Sequence, residues 1–194
     1  MTSTRTQESG SRSRTRRAIV DAAIVLLAAR PTASLAEVAE AANVGRSTLH
    51  RYFPERSELL SAIMADSVER LRSGIEAAEL DKGTPAEALR RVVQAYFELS
   101  PILALLVGES TTEQNDDLAG ALDAVEAPVR QLIERGRAEG CFDERLSTDW
   151  ISRVLWWVVH AGVDAVNDGG MARHAALESI IRTLEGGVLA TPSG

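Results

Sequence analysis

Arg46, Ser47, Thr48, His50 and Arg51 lie within the stretch RSTLHRYF, interleaved with Leu49 and Phe53. Leu49 and Phe53 are four apart, so on a helix they share one face. Ser47, His50 and Arg51 then point the other way, with Arg46 and Thr48 flanking them. Such a face can meet a polyanion. Arginine grips phosphate or a guanine edge, hydroxyls donate to phosphate or bases, and the Thr48 methyl can meet a thymine methyl. The bland alternative is the solvated side of an ordinary helical hairpin, and the pattern by itself leaves both open.

The elements that must position this face are legible on either side of it. SLAEVAEAA begins with Ser34 and Glu37, the spacing of a capping box in which each side chain satisfies the other residue's free N–H. Ala42-Asn43-Val44-Gly45 is a four-residue joint. Asn43 tolerates the left-handed conformation that ends a helix, Gly45 can cap the next one, and Val44 can plug the gap between them. The joint makes SLAEVAEAANVGRSTLHRYF a helix-turn-helix, whose second helix can enter a DNA major groove. Ahead of it, TRRAIVDAAIVLLAAR places Ile19, Ala23 and Leu26 on one face and Val20, Ile24 and Leu27 beside them, and Pro31 stops the helix.

Helices are expected almost everywhere else. One runs from Arg56 to about Glu79 with Leu59, Ile63, Leu71 and Ile75 inward. Thr84 caps the next, with Pro85 at its tolerated first position. Ser100-Pro101 repeats that start signal before ILALLVGES. A helix from Asp116 to about Glu139 is expected to be kinked or split at Pro128 and ended by Gly140. Ser147 caps TDWISRVLWWVVHAGVDAV, and a last helix spans about Met171 to Leu184. No alternating strand pattern of useful length and no internal repeat is present. The expected fold is all-α with about nine helices: an N-terminal three-helix helix-turn-helix domain followed by a C-terminal helical domain.

Composition sets the outer limits. A chain of 194 residues suits one domain or one domain with a small appendage. The single cysteine, Cys141, excludes an intrachain disulfide and a cysteine-rich zinc site. The first 17 residues are polar and lack the apolar stretch of a secretory signal, and no apolar run reaches membrane-spanning length, so the cytoplasm is the expected location. The formal charge of −7 is unevenly spread. Residues 1–60 carry nine arginines against six carboxylates, and the remainder twelve bases against twenty-two. The basic segment suits a polyanion, and the acidic part repels phosphate.

Residues 16–62 resemble the N-terminal DNA-binding domain of the TetR family of bacterial transcriptional regulators. The family pattern, roughly "dIA..aGvs.gtlY.yF.sKe.Ll", stands here without gaps as EVAEAANVGRSTLHRYFPERSELL. Asn43 replaces the usual turn glycine, Gly45 the usual serine cap, His50 the usual tyrosine and Arg56 the usual lysine. The resemblance implies a homodimeric, usually repressing regulator bound to a palindromic double-stranded DNA operator and responsive to a small molecule. It also assigns roles. Ser34 and the start of its helix touch phosphate. Arg46, Ser47 and Thr48 lie at or near base edges. His50, Tyr52 and Arg56 hold phosphates. Ala36 occupies a position where some relatives read a base with a longer side chain. Arg12, Arg14, Arg16 and Arg17 form either a DNA-contacting arm or a tail with non-specific attraction.

The expected division is a flexible basic tail over 1–12, the DNA-binding domain over 13–60 and the ligand-sensing and dimerisation domain over 61–194. In the last of these, Tyr96, Phe97, Leu99, Ile102, Leu103 and Leu106 can line a pocket or simply fill the core. Trp157, His160 and Asp164 are ligand candidates because polar groups on so apolar a helix need partners. The alternative is pairing within the core or across a dimer. Gly162 and Ala165 permit close helix approach, and the resemblance places their helix and the last one in a four-helix dimer interface. Catalysis would need a nucleophile, phosphate loop or metal cluster beside His160 and Asp164, and the sequence offers none. No enzymatic activity, cofactor, metal or membrane association is expected. The competing reading is a DNA-binding regulator of the same fold controlled by a protein partner or by abundance.

Overall fold

The computed structural model describes residues 3–103, 105 and 116–190, with side chains from Arg12 onward and excluding Asp116. Its helices are α1 (Ser3–Ala29), α2 (Leu35–Ala41), α3 (Arg46–Tyr52), α4 (Arg56–Ala77), α5 (Pro85–Glu98), α6 (Asp116–Ala138), α7 (Thr148–Asn167) and α8 (Arg173–Val188). Residues 100–103 are also helical. Among the described residues the only β pairing is an isolated bridge between Phe142 and Leu189. No described helix is long and apolar enough to cross a membrane. Leu106 and most of ILALLVGES lie outside the described residues.

Local signals set most of the boundaries. The Ser34–Glu37 capping box forms, and Thr84, expected as a simple cap, forms a second one with Glu87. The Ser147 hydroxyl accepts from the Trp150 N–H at 3.1 Å. Gly140 has φ +69, and the N–H groups of Gly140 and Cys141 turn back to the carbonyls of Arg137 and Gly136, which closes α6. Phe142 then folds over Gly136, where a Cβ would lie 2.4 Å from the ring.

Four expectations are corrected. The first helix begins at Ser3 rather than near Thr15, because extending an existing helix costs far less than nucleating one. Of the kink or split expected at Pro128, the split does not occur: α6 runs unbroken from Asp116 to Ala138. The flanking Val125, Val129, Leu132 and Ile133 are buried, and the helix packs on α4, α5 and α7, which offsets one missing backbone bond. Ser100 is the first residue of its helical turn rather than the cap, and Leu99 accepts the bonds from Ile102 and Leu103. The last helix starts after Ala172 and runs on to Val188.

One core runs through the molecule. Ile19, Val20, Ala23, Ile24 and Leu27 of α1 meet Val38, Ala39, Leu49 and Phe53, and the cluster continues through Leu59, Ile63, Leu71 and Ile75 along α4. Helix α4 crosses residues 60–61, the expected domain boundary, without interruption. It packs on α1 at one end and on α5 and α6 at the other, while α5, α7 and α8 pack on one another. A charge network reinforces the α1 contact. Arg17 reaches Asp66 at 3.1 Å, Arg70 reaches Asp66 at 2.6 Å, and both arginines pair with Asp21. At the far end of α4, Arg91 donates to the carbonyls of Ala78, Glu79 and Lys82, and Arg135 donates to those of Leu80 and Asp81.

Candidate functional site

Helix α3 carries the candidate nucleic-acid face. Leu49 and Phe53 are 1 % and 2 % exposed, so the rotation of the helix is fixed and Arg46, Ser47, His50 and Arg51 face solvent. Thr48 and Tyr52 are half-buried at the edges, and the Arg51 guanidinium lies 5.6 Å from the Tyr52 ring centre. The joint has the expected geometry: Asn43 sits at φ 52, and extended Gly45 caps α3 without a side-chain bond. Val44 packs against the core. On α1, Arg12 and Arg14 are exposed, Arg16 stacks 5.1 Å from the Phe53 ring centre, and Arg17 is held by the α1–α4 network.

Two residues expected to touch phosphate make hydrogen bonds within the chain. The Ser34 N–H and hydroxyl both donate to Glu37, at 2.8 and 2.9 Å, and the Ser34 N–H is the main reason the Glu37 carboxyl sits below its usual pKa. Arg56 donates to the carbonyl of Pro31 at 2.8 Å and to that of Ala33. Its guanidinium therefore braces the turn joining α1 to α2, and with it the seat of the recognition helix. Arg56→Ala is expected to lower stability by about 1–3 kcal/mol. Arg56→Lys should restore only part of this, because an ammonium cannot span both carbonyls as a fork does. Urea unfolding of the three proteins checks this. An alanine variant of unchanged stability that bound all DNA more weakly would return Arg56 to a phosphate role.

In the C-terminal part, the residues expected to bind ligand fall into two groups. Tyr96 and Leu103 are buried, and Leu99 rests on Gly74 of α4, where a Cβ would lie 2.9 Å from its methyl. Trp157, His160 and Asp164 form a separate strip on the outer side of α7. Trp157 is 55 % exposed, its ring meets His160 edge-on at 5.9 Å, and His160 Nε2 lies 3.5 Å from Asp164 Oδ2. The structure does not bring this strip to Tyr96. The aromatic side chain that does reach Tyr96 is Trp156, with ring centres 5.3 Å apart. Gly162 takes Ile180 of α8, whose methyl would lie 2.4 Å from any Cβ, so its small size serves packing within the chain. Ala165 lines a shallow depression between α7 and α8 together with Trp157, Ala161 and Met171.

Glu126 of α6 was missed from the sequence. It faces the Tyr96 hydroxyl and the Trp156 indole, and burial pushes its carboxyl up to about 7 even though the indole N–H and Arg130 pull it down. The only sequence signal is a carboxylate beside Val125 and three before Val129, on the apolar side of its helix. Burial also raises Tyr96 well above its usual value. Among the described residues no group of three His, Cys, Asp or Glu side chains is arranged to hold a metal.

Comparison with known proteins agrees with this architecture. The family model for bacterial regulatory proteins of the tetR family matches residues 19–63. The HTH-type transcriptional repressor LfrR of Mycolicibacterium smegmatis is 38 % identical over 185 residues, spanning 95 % of this chain and 96 % of its own. The HTH-type transcriptional regulator NfxB of Pseudomonas aeruginosa is 29 % identical over 173 residues, spanning 86 % and 88 %. The crystal structure of LfrR in complex with proflavine superposes with a TM-score of 0.77 at 39 % identity, covering 93 % of this chain and 99 % of that one. With the helix-turn-helix in place and the likeness running the length of the molecule, the chain belongs to the TetR family of bacterial transcriptional regulators.

Proposed function

We propose that the protein is a dimeric repressor that binds a palindromic operator and leaves it when a small molecule enters the C-terminal helices. The observation that carries the reading is the oriented α3 face. Two buried anchors fix the helix, and four polar side chains stand outward where base edges and phosphates would lie. A dimer presents two such helices to half-sites one helical turn apart or a multiple of it. Helix α4 is the element that links the two functions. It is tied to α1 through Arg17, Asp21, Asp66 and Arg70 and to the C-terminal helices through Leu71 and Ile75, so a tilt of α4 changes the separation of the two recognition helices. A ligand does this only to the extent that it prefers the non-binding conformation, and operator DNA then weakens ligand binding by the same factor.

The test begins with DNA immediately upstream of the protein's own coding region, titrated by fluorescence anisotropy. Binding to one palindrome there, abolished by scrambling either half, is the expected result. Uniform affinity for all sequences would remove the operator reading. Within that site, Arg46→Ala should cost about 1–3 kcal/mol and relax the base preference at one position of each half-site. A library of single-base operator variants checks this, and a flat loss would make Arg46 a backbone contact. The LfrR complex makes proflavine the first effector to try. Operator binding indifferent to proflavine and to a wider metabolite screen would favour control by a protein partner or by abundance.

A further inference from the structure

We infer that Glu126, Tyr96 and Trp156 form a recognition site for a flat aromatic cation, with the Glu126 carboxylate reading its positive charge. This deepens the effector-released reading above and rests on it for the consequence at DNA, but the site itself stands on its own geometry. Helices α5, α6 and α7 each contribute one side chain. The rings of Tyr96 and Trp156 lie 5.3 Å apart with their planes inclined by 40°, and the carboxyl of Glu126 faces both the phenol and the indole.

The Trp156 indole and the Tyr96 hydroxyl turn toward the Glu126 carboxyl and hold it weakly, against the larger effect of its burial. Among the described residues, the Tyr96 hydroxyl and Glu126 Oε1 are both out of solvent and without a well-formed hydrogen bond. Unpaired buried acceptors are costly, and an unpaired buried carboxylate more so. Arg130 attracts the carboxyl but makes its hydrogen bonds elsewhere. One turn along the same helix, it donates to Asp123, at 3.2 Å to the carboxylate and 2.9 Å to the carbonyl. On α5, Arg91 is spent on the carbonyls after α4, and Arg90 pairs with Glu185. The segment 104–115, ALLVGESTTEQN, contains no basic residue.

A carboxylate kept beside two aromatic faces, with Arg130 attracting it but hydrogen-bonded to Asp123 instead, suits a ligand that brings a charge of its own. A flat aromatic ring with delocalised positive charge meets all three partners at once. It stacks on or edges against the rings, it gains cation–π attraction from them, and its N–H groups donate to Glu126 Oε1 and the Tyr96 oxygen. An anion would be repelled, and a neutral ring would leave the carboxylate unpaired. Glu126 as a whole residue is only partly buried, so the site is not sealed from solvent.

The test uses the DNA-free full chain and calorimetric titration at about pH 8, where the Glu126 carboxyl is ionised. Proflavine is a cation under these conditions, and acridine is the same ring system without charge. The wild type should prefer proflavine. Glu126→Gln should weaken proflavine about tenfold to a hundredfold and leave acridine within about twofold, because only the charge pair is removed. Trp156→Ala should weaken both. A wild type that does not prefer the cation, or a Glu126→Gln protein that keeps the preference, overturns the assignment. So does an equal loss of both compounds on Glu126→Gln, which would give the carboxylate a packing role. Operator release is read separately. Cation binding that depends on Glu126 in a protein that still holds its operator would leave the site standing and remove the effector-release reading. Release by an uncharged compound with no cation preference would do the reverse.

Discussion

Trp157→Glu is expected to leave a folded monomer whose operator affinity is lower by about two to four orders of magnitude. Trp157 is 55 % exposed on the outer side of α7, and Met171 is 37 % exposed nearby. Around them lie Val158, Ala161, Ala165, Ser179 and Thr183, small or apolar residues that let another helix pair approach. A tryptophan left this open forfeits most of the free energy its burial would bring, roughly 25 cal/mol for each Å² of apolar surface covered. The proposed two-fold dimer, if built through α7 and α8, would cover it on both subunits at once. The substitution acts twice for the same reason, since an isologous interface repeats every residue on both sides and each new carboxylate is desolvated. The monomer still folds, because the inward face of α7, with Ile151, Leu155, Val159 and Val163, is untouched. Its operator affinity falls because the second recognition helix no longer binds as part of the same molecule. Sedimentation at micromolar concentration and anisotropy on the same operator measure the two effects. A Trp157→Glu protein that remained dimeric and lost proflavine binding would return Trp157 to the ligand role first expected for it.

The contrast between Trp156 and Trp157 shows where sequence reading stops. Both sit on an apolar helix, and adjacent residues differ by about 100° around it. Which one turns inward depends on where α5 and α6 come to rest, and that is set by residues 30 to 60 positions away. Features decided by near neighbours were readable. The capping box at Ser34, the cap at Thr84, the stop at Pro31, the left-handed Asn43 and the Leu49–Phe53 pair each involve residues within four positions of one another. The intrachain bonds of Arg56 are hidden from the sequence for the opposite reason. Its sequence place matches a phosphate-binding position, but the carbonyls it holds lie 23 and 25 residues earlier in the chain. Glu126 reads as an ordinary helical carboxylate until Tyr96 and Trp156 arrive from two other helices.

The same carboxylate sets the second large expected effect, on stability against pH. The folded-state pKa of Glu126 is raised from 4.5 to about 7, so the folded protein holds this proton over a range in which the unfolded chain has released it. Stability therefore falls as pH rises from about 4.5 to about 7 and then levels off, with a total loss of roughly 3 kcal/mol assigned to this group. Glu126→Gln keeps the shape and removes the titration. Its stability should match the wild type near pH 4.5 and exceed it by roughly that amount at pH 8. The groups facing the carboxyl fix the direction. Tyr96 and Trp156 come from α5 and α7, Asp123 and Arg130 come from its own helix, and burial outweighs the attraction of Arg130. Urea unfolding of both proteins at several pH values gives the difference directly, and carboxylates common to the two cancel from it. Curves that stayed parallel across this range would mean that the carboxyl already has a counter-ion in the folded state. If they diverge as expected, the free protein carries a penalty that a bound cation removes, and proflavine should then stabilise the wild type more at pH 8 than at pH 5 and Glu126→Gln little at either.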